Sequence, residues 1–401
     1  KKLLLFIKHH FKMNKYIFLF SSMLAFSISN AQQRVITTST PFLMVAADAR
    51  SAGMADIGIA TSSDVFSQQW NPAKFAFTTA EQGFSISYTP YLTDLVNDIS
   101  LGQVSYFNKI NDRSAWATSL RFFGLGNIEL RNDPYEQANV VSPNELALDG
   151  SYSLQISKTF SMAVAGRYIR SNLKFPTQNI DASSASSFAV DVAGFYQSEE
   201  KVYTHFNGIW RAGFNIQNLG PKINYDNADD TNTGYFLPAN LKIGTGFEFI
   251  FDEDNKFTAN VELNKLLVPS PQDADLNRDG TISTLENEQT KNNYIKTGWV
   301  SGIFKSFGDA PNGFSEELKE VTYAIGTEYA FKDAFMVRAG YFHESPDKGA
   351  RNYFSMGAGF KYTSTKIDVS YLFSTSKIKN PLENTLRFSL TFNFGDNYGL
   401  N

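Results

Sequence analysis

Regular alternation of apolar and polar residues is the feature that most constrains the fold of this chain. From about Ser85 to Phe394 the alternation runs for roughly ten positions at a time and then stops at turn residues. In the last repeat, every second residue from Leu386 to Phe394 is apolar, and the residues between are polar. Successive side chains of a strand point to opposite faces, so each strand has one apolar and one polar face. Because the apolar face is rich in aromatic residues along most of the chain, the pattern predicts a barrel with lipid outside and a polar lumen.

The alternation divides into about 14 segments, and bacterial barrels have an even number of strands. We therefore predict an all-β fold, a 14-stranded antiparallel transmembrane β-barrel over residues 82–394, with a short C-terminal tail at 395–401. The predicted strands are approximately 82–90, 99–108, 114–124, 145–156, 160–171, 186–197, 208–217, 240–251, 256–265, 319–331, 334–343, 352–362, 366–374 and 384–394.

The connections between these strands alternate in length. Tight turns such as Asn111-Asp112 alternate with longer loops at 125–144, 218–239 and 266–318, and only 198–207 is long for a short turn. Outer-membrane barrels have short periplasmic turns and long external loops. The pattern therefore predicts an outer-membrane protein with both termini in the periplasm and one oversized external loop.

Composition excludes several other classes of protein. The chain has 401 residues and a net charge of −4, which suggests neither nucleic acid nor an anionic surface as a partner. The mean hydropathy of −0.26 is too low for a bundle of membrane helices, but it fits a barrel, in which only alternate residues face outer-membrane lipid. No cysteine is present, so no disulfide supports the fold and no lipid can be attached to an N-terminal cysteine.

The N-terminal segment 1–31 has the features of a secretory signal. Met13-Asn14-Lys15 is followed by a short apolar core and then by Ser29-Asn30-Ala31. This order predicts a signal peptide cleaved after Ala31, because the apolar core is too short to span a membrane comfortably. Residues 1–12 would then be an extension upstream of the start at Met13.

Residues 32–81 interrupt the alternation and precede the first strand. Pro41, the stretch 48–56 and Trp70-Asn71-Pro72-Ala73 are typical of short helical turns and loops. The segment is too apolar for a disordered leader. We predict an N-terminal plug that lies inside or beneath the barrel.

The polar face of the strands carries charges of both signs in similar number. An ion-selective pore would instead have rings of one sign. A balanced set predicts a closed or plugged barrel filled by paired charges. The residues are Arg121, Arg167, Arg211, Lys242, Arg338, Lys361, Arg387, Asp149, Asp191, Glu248, Glu262, Glu328 and Asp368.

The long loop contains a sequence that matches the 12-residue calcium loop of an EF-hand, Asp275 to Glu286. Gly280 would permit the sharp turn, and Ile282 occupies the apolar position. The oxygen ligands of a calcium ion (Ca²⁺) would come from Asp275, Asn277, Asp279, Thr281, Ser283 and Glu286.

The residues that flank this motif limit what it can be. Pro269 and Pro271 forbid a regular entering helix, so a lone structural calcium loop is expected rather than a paired EF-hand. Its affinity would be weak, on the order of 10⁻⁴–10⁻³ M. The alternative is an acidic turn exposed to solvent.

A second feature of the long loop is an apolar face. Trp299, Ile303 and Phe307 recur at helical spacing and, with Phe304, form a candidate partner-binding surface. The alternative is that this segment folds onto the barrel mouth or the membrane rim.

Sequence signals of an enzyme are absent. Outside the N-terminal extension the histidines are His205 and His343, which are far apart and lack the spacing of zinc ligands. Neither a Gly-x-Ser-x-Gly elbow nor a phosphate-binding glycine loop occurs. We predict that the chain is not an enzyme.

Several segments resemble PorV, a family of outer-membrane proteins of type IX secretion. The resemblance covers essentially the whole mature chain, and its N-terminal motifs are the most specific. The segments are Asp48-Ala49-Arg50, Gly53-Met54, Asp56-Ile57-Gly58, Gln68-Gln69-Trp70-Asn71-Pro72-Ala73-Lys74, Ser87-Tyr88-Thr89-Pro90-Tyr91-Leu92, Val96-Asn97-Asp98-Ile99, Phe307-Gly308-Asp309-Ala310-Pro311, Gly313-Phe314-Ser315-Glu316-Glu317-Leu318 and Arg338-Ala339-Gly340-Tyr341.

The resemblance implies a fold and a role. PorV proteins are similar in architecture to FadL fatty-acid transporters, barrels of about 14 strands with an N-terminal plug. It implies a non-enzymatic role in protein export in the outer membrane of a Bacteroidetes-type bacterium. The implied partners are a translocon barrel (SprA/Sov-like), cargo proteins with a C-terminal secretion signal domain, and a PorU-like sortase that receives the cargo.

A FadL-like transporter of hydrophobic small molecules is the alternative function, and a simple porin ranks third. A transporter needs an apolar pocket that leads from the loops into the lumen. The inward residues that could line it are Phe123, Ile169, Phe195, Ile250 and Phe342.

Overall fold

The structure is a computed structural model. It describes residues 35–395 except for 94, 132, 134, 136, 174–175, 178–179, 182–183, 226–233, 278 and 377–379. The predicted signal peptide at 1–31 and the tail after residue 395 lie outside the described residues.

Fourteen long strands form one closed antiparallel sheet, in which each strand pairs with its neighbours in sequence. In chain order, strands β1 to β14 are Gln82–Pro90, Ile99–Asn111, Ser114–Leu125, Asn144–Ser157, Phe160–Asn172, Ala185–Gln197, Asn207–Leu219, Asn240–Ile250, Asn255–Leu266, Val321–Phe331, Phe335–His343, Asn352–Tyr362, Thr365–Ser374 and Leu386–Phe394. Strands β1 and β14 close the ring, with Gln82 opposite Phe394. The predicted barrel is confirmed, and the strand boundaries differ from the predicted ones by at most about three residues.

Strand β10 begins two residues later than predicted, because a helix precedes it. Residues 319–331 were expected to be extended, but Phe314–Lys319 forms a helix and the strand begins at Val321. Glu316 and Glu317 of this helix are buried against lysines of the barrel mouth, and that tertiary contact is not visible in the local alternation.

Alternation along each strand separates a polar lumen from an apolar outer surface. In β14, Arg387, Ser389 and Thr391 are buried inside, whereas Leu386 and Phe388 are exposed on the outside. Exposed apolar side chains in such rows are the lipid-facing band of a membrane barrel.

The remaining elements of the described residues are helices, 3₁₀ turns and short strands. Helices α1 to α5 are Ala49–Ala52, Ser67–Trp70, Thr284–Lys296, Trp299–Lys305 and Phe314–Lys319, and 3₁₀ turns occur at Pro41–Met44 and Pro72–Phe77. Short strand pairs join Ile128–Leu130 to Asn139–Val141 and Pro176–Thr177 to Ile180–Asp181, and Lys201–Val202 adds to the edge of β7. Within the described part of the chain, none of the helices has the length and apolar character needed to cross a membrane.

Residues 35–81, called the plug below, run through the lumen from one end of the barrel to the other. At the end that carries the long loops, the Ser39 backbone N–H donates to the Phe236 carbonyl at 2.9 Å. At the short-turn end, Lys109 Nζ donates to the Thr78 carbonyl at 3.2 Å. The first described residues therefore lie at the long-loop end, which differs from the expectation of a chain that starts on the periplasmic side.

Glycines on the inner wall allow the plug backbone to lie against the strands. A Cβ at Gly340 of β11 would lie 2.4 Å from the Met54 carbonyl carbon, which is far closer than real contacts allow. A Cβ added at Gly357 of β12 would lie 3.1 Å from the Gly53 Cα. Small inward residues on this part of the wall are thus a requirement for the plug position.

Candidate functional site: the filled lumen and the long-loop cap

The centre of the lumen is an ion-pair network around Arg50 of the plug. Its guanidinium lies 2.7 Å from the Asp64 carboxylate and 2.9 Å from the Glu328 carboxylate of β10. Glu328 also accepts from Arg338 of β11, whose guanidinium lies 2.8 Å from Asp368 of β13. The plug is therefore joined to three wall strands by buried charges, which are costly to leave unpaired.

Two further contacts attach the same segment of the plug to the wall. The Asp56 carboxylate accepts from the Tyr353 hydroxyl at 2.8 Å and lies 3.3 Å from Arg387. The Glu262 carboxylate accepts from the backbone N–H groups of Gly58 and Ile59 at 2.9 and 3.0 Å. These contacts satisfy wall charges with plug groups instead of water.

A second ladder of charges crosses strands β3 to β6. Arg121 lies 3.2 Å from Asp149, and Arg167 bridges Asp149 and Asp191 at 2.6 and 2.9 Å. Asp191 also accepts from the Asn218 backbone N–H at 2.8 Å, where the pairing of β6 with β7 shifts in register. The charges predicted to face inwards do so, and their pairing fits the predicted closed barrel.

Three of the apolar residues that could have lined a transport route lie in different parts of the lumen, while Ile169 belongs to the same cluster as Phe123. Phe123 stacks on Phe42, with ring centroids 6.0 Å apart, and Phe195 packs edge-on against Phe77 at 5.7 Å. Phe342 stacks instead on the wall residue Tyr353 at 4.9 Å. These side chains lie in separate packed clusters of the described residues and do not line one pocket.

Open space in the lumen is polar. A cavity of about 380 Å³ lies at the short-turn end below the plug, and its walls include Arg50, Asp64, Glu248, Lys361 and Lys366. Both signs of charge are present, and Glu248 lies 2.7 Å from Arg211. The lining also includes Phe66, Phe77, Phe107 and Met336, but charged groups of both signs make the cavity better suited to water and small polar solutes than to a hydrocarbon.

Residues 267–320, called the loop cap below, rest on an ionic base. Lys265 Nζ lies 2.9 and 2.8 Å from Glu317 and Glu320, and Lys348 Nζ lies 2.7 and 3.0 Å from Glu316 and Glu320. Burial opposes the charge of Glu320, but hydrogen bonds from Lys265, Ser270 and Lys348 outweigh it and lower the pKa of this carboxyl.

The loop cap also packs on the neighbouring long loop, 220–239. Lys222 Nζ donates to the Ile295 carbonyl at 2.6 Å and lies 4.2 Å above the Phe236 ring. The ring of Tyr294 packs edge-on against Phe236 at 5.5 Å. Burial raises the pKa of Tyr294 to about 12, and the nearby carboxylate of Asp309 adds to the shift. The two loops therefore cover the lumen together.

The calcium-type sequence forms a compact turn that leads into α3. Asp275 accepts from the backbone N–H groups of Asp279 and Gly280 at 3.1 and 2.9 Å, and Glu286 Oε1 accepts from Asn277 N–H at 3.2 Å. Ser283 is the N-cap of α3, and its hydrogen bonds hold the pKa of Glu286 below its ordinary value.

The donor chemistry of this turn fits a hard cation, but the carboxylates are spread out. Thr281 N–H donates to Asp279 at 2.8 Å, so the predicted ligand residues belong to one hydrogen-bonded turn of oxygen-bearing side chains. In the described residues, no group of three or more His, Cys, Asp or Glu side chains lies close enough to form a metal site as it stands.

The residues predicted to bind a partner divide into two pairs. Trp299 and Ile303 of α4 are half-buried. Phe304 of α4 is 75 % exposed, and Phe307, beyond the end of this helix, is 55 % exposed. Phe314 of α5 is 77 % exposed as well, and local helical spacing did not identify it. In the described part of the loop cap the exposed aromatic residues are thus Phe304, Phe307 and Phe314. Exposed aliphatic residues of the loop cap are Leu276, Ile282, Leu285, Val300 and Leu318.

Comparison with known proteins identifies the family. The family described as "Type IX secretion system protein PorV" matches residues 28–273, which is more than half of the chain. The chain belongs to the PorV family. The predicted resemblance to PorV is confirmed, and the chain is an outer-membrane component of the type IX secretion system.

Comparison with solved structures finds proteins that are similar to this PorV-family chain. It is similar to the Pseudomonas putida toluene transporter TodX, with 11% identity, 85% of this chain and 95% of that chain covered, and a TM-score of 0.47. It is also similar to a Pseudomonas aeruginosa FadL homologue, with 12% identity, 90% and 100% of the two chains covered, and a TM-score of 0.41. No curated protein matches the sequence.

Sequence reasoning missed the ionic base of the loop cap in this PorV-family chain. Lys265, Glu320 and Lys348 come from three segments that meet only when strands β9 to β12 pair. Their one signal in the sequence is the run of acidic residues at 316–320, directly before a strand.

Proposed function

We propose that this chain is the cargo-handling barrel of its type IX secretion system. It binds the translocon barrel, receives cargo proteins with a C-terminal secretion signal domain and passes them to the sortase at the cell surface, without enzymatic activity of its own. The observation that supports this proposal most directly is the filled lumen. A barrel whose lumen is occupied by its own ion-paired plug offers partners its external surface.

The loop cap is the surface that we assign to partners. It combines a rigid base, the Lys265–Glu317 and Lys348–Glu316 ion pairs, with exposed aromatic side chains at Phe304, Phe307 and Phe314. Aromatic residues in exposed patches are typical of protein-binding surfaces, and a preorganised loop lowers the entropy cost of binding.

The structure allows this loop to be removed without removing its base. Gln272 Nε2 donates to the Asp309 carbonyl at 2.8 Å, so the two ends of segment 273–308 lie side by side. We expect a chain in which a short Gly-Ser linker replaces 273–308 to form the barrel and to lose co-purification with the translocon and secretion of cargo. Normal secretion by a correctly folded deletion would refute this role of the loop cap.

A double substitution tests the same surface without removing the loop. The double substitution Phe304→Glu with Phe307→Glu should reduce cargo secretion at least tenfold, because it places two charges on the proposed interface. Tyr135 lies in a different long loop and is 98 % exposed, so Tyr135→Glu is the matched control. Equal loss in both variants would point to a general effect of surface charge.

We also propose that the turn from Asp275 to Glu286 binds calcium and stiffens the loop cap. Asp275, Asn277, Asp279, Ser283 and Glu286 would supply side-chain oxygens, and Thr281 its carbonyl. The support is the donor chemistry and the turn itself, in which Gly280 has φ +84 and open space around its Cβ position. Calcium would neutralise part of the acidic charge and hold the turn against α3.

Calorimetric titration of the full chain with calcium tests this part of the proposal. We expect heat of binding in the range of roughly 10⁻⁴–10⁻³ M, typical of extracellular sites, and its loss in Asp275→Ala. Glu288→Gln, on the exposed side of α3, should leave the heat unchanged. Absence of heat at millimolar calcium would show that the turn is only an acidic surface loop.

A further inference from the structure

The outer surface of the barrel has a groove across strands β6 to β9. Neighbouring outward positions on the wall carry large apolar side chains, but β7 has Ala212, and the Phe214 ring lies over Gly194 of β6. A groove of about 550 Å³ opens there, with Phe214, Ile243, Val261 and Leu263 at its sides. Its lining is apolar apart from the hydroxyl groups of Thr245 and Tyr196.

The groove has the dimensions of a ligand site. Its volume lies within the roughly 300–1,000 Å³ that small-molecule sites occupy. It extends along β8 from Leu241 to Thr245, which is about 14 Å for the four residue-to-residue steps of an antiparallel strand. An elongated, apolar groove in a membrane-facing wall is complementary in shape and chemistry to a hydrocarbon chain.

The groove continues into a second pocket at the short-turn end. Tyr196 lines both, and the second pocket of about 110 Å³ is bounded by Ser198, Lys201, Tyr203 and Trp210. Tyrosine and tryptophan are enriched at the level of lipid headgroups. The pocket therefore marks where the hydrocarbon region ends.

Lys201 supplies the charge that a headgroup needs. It lies in the turn 198–206, and the short strand Lys201–Val202 holds it against β7. No ion pair of Lys201 occurs in the described part of the chain, whereas the carboxylate of its neighbour Glu200 is engaged by Asn207 Nδ2 at 2.6 Å. The unusual length of this turn brings an ammonium group to the end of the apolar groove.

We propose that this groove and pocket bind one phospholipid of the periplasmic leaflet. One acyl chain lies between β6 and β9, and the phosphodiester lies at Lys201, where a cation attracts an anionic group. The membrane surrounds this wall, so lipid is the occupant that continues the lipid-facing surface on either side.

Native mass spectrometry of the full chain, released from outer membranes in a mild detergent, tests the proposal. We expect one phospholipid to stay bound at detergent concentrations that strip the remaining lipid. Ala212→Leu fills the groove and should lower the bound fraction at least tenfold, and Lys201→Glu should lower it as well. Ala358→Leu adds the same side chain at an exposed outward position of β12 and should retain the lipid.

Val261→Phe fills the groove from β9 and replaces Ala212→Leu if that variant does not fold. A wild-type chain without bound phospholipid, or equal retention by a folded groove variant and the wild type, would overturn the proposal. A groove variant that keeps its lipid but loses a co-purifying protein would show that the groove is a protein interface.

Discussion

Arg50 in the plug and Glu328 in strand β10 are 278 positions apart in the sequence, and their charged groups lie 2.9 Å apart in the lumen. This contact joins the plug, which precedes the first strand, to the tenth of the fourteen strands. Because Arg50 is buried and the Glu328 side chain is only 12 % exposed, the plug and the barrel wall each depend on the other for charge neutralisation.

Removing one member of this pair should destabilise the whole protein. Glu328→Gln leaves Arg50 with Asp64 alone and takes a carboxylate from Arg338, so we expect a loss of about 3 kcal/mol in the free energy of unfolding. Urea unfolding in lipid vesicles measures it. Asp254→Asn breaks a half-exposed pair with Lys332 and should cost less than about 1 kcal/mol. Similar losses in both variants would contradict a structural role of the plug network.

A single methyl group should displace the plug. In Gly340→Ala the added Cβ would lie within 2.6 Å of the backbone at Met54 and Ala55, so the plug must move at a cost of about 1–3 kcal/mol. Limited proteolysis of the folded barrel should then cut the plug faster than in the wild type. Ala339→Val, one position away on the lipid-facing side, is the control and should not change the rate of cleavage. Unchanged protease resistance in Gly340→Ala would mean that the plug does not lie against the wall as described.

The first described residues should be accessible from the cell surface. Val35 is 40 % exposed and precedes Ser39, which is bonded to the long loop at Phe236. The protein has no cysteine, so Val35→Cys can be labelled on intact cells with a membrane-impermeant maleimide. Asp112→Cys, in a short turn, should react only after the outer membrane is permeabilised. Labelling in the reverse order would mean that the barrel has the opposite orientation.

The base of the loop cap should loosen at both extremes of pH. The pKa of Glu320 is lowered in the folded state, so its stabilising contribution is present above its ordinary value of 4.5 and is lost as pH falls through the folded pKa. Burial lowers the pKa of Lys348, but hydrogen bonds to Glu316 and Glu320 raise it overall. Its contribution is present below 10.5 and is lost as pH rises through the folded value.

Hydrogen exchange of the amides in α5, corrected for intrinsic rates, follows this opening. Protection should be greatest near neutral pH and should decrease in acid. Glu320→Gln should remove most of the decrease on the acid side. A flat profile in the wild type would show that the ionic base does not hold the loop cap.

The barrel was predictable because its signal is local. The two-residue period of a strand assigns neighbours such as Arg387 and Phe388 to opposite faces of the sheet. This period can be recognised in each strand without knowing which strands pair with it. The same parity predicted the inward charges, from Arg121 to Asp368, without knowledge of their partners. The helix at Phe314–Lys319 was missed because its stability comes from Lys265 and Lys348, which are distant in the sequence.

The amino-acid order alone therefore specified the strands, their lipid-facing and lumen-facing sides and the acidic turn at 275–286. Folding in three dimensions decided which charges pair, as with Arg50 and Glu328, and that the plug occupies the lumen. It also created the outer groove, because Ala212 and the Phe214 ring come to lie beside Gly194 only when β6 pairs with β7. Strand alternation depends on residues a few positions apart, whereas pairing and cavities depend on contacts across the closed ring.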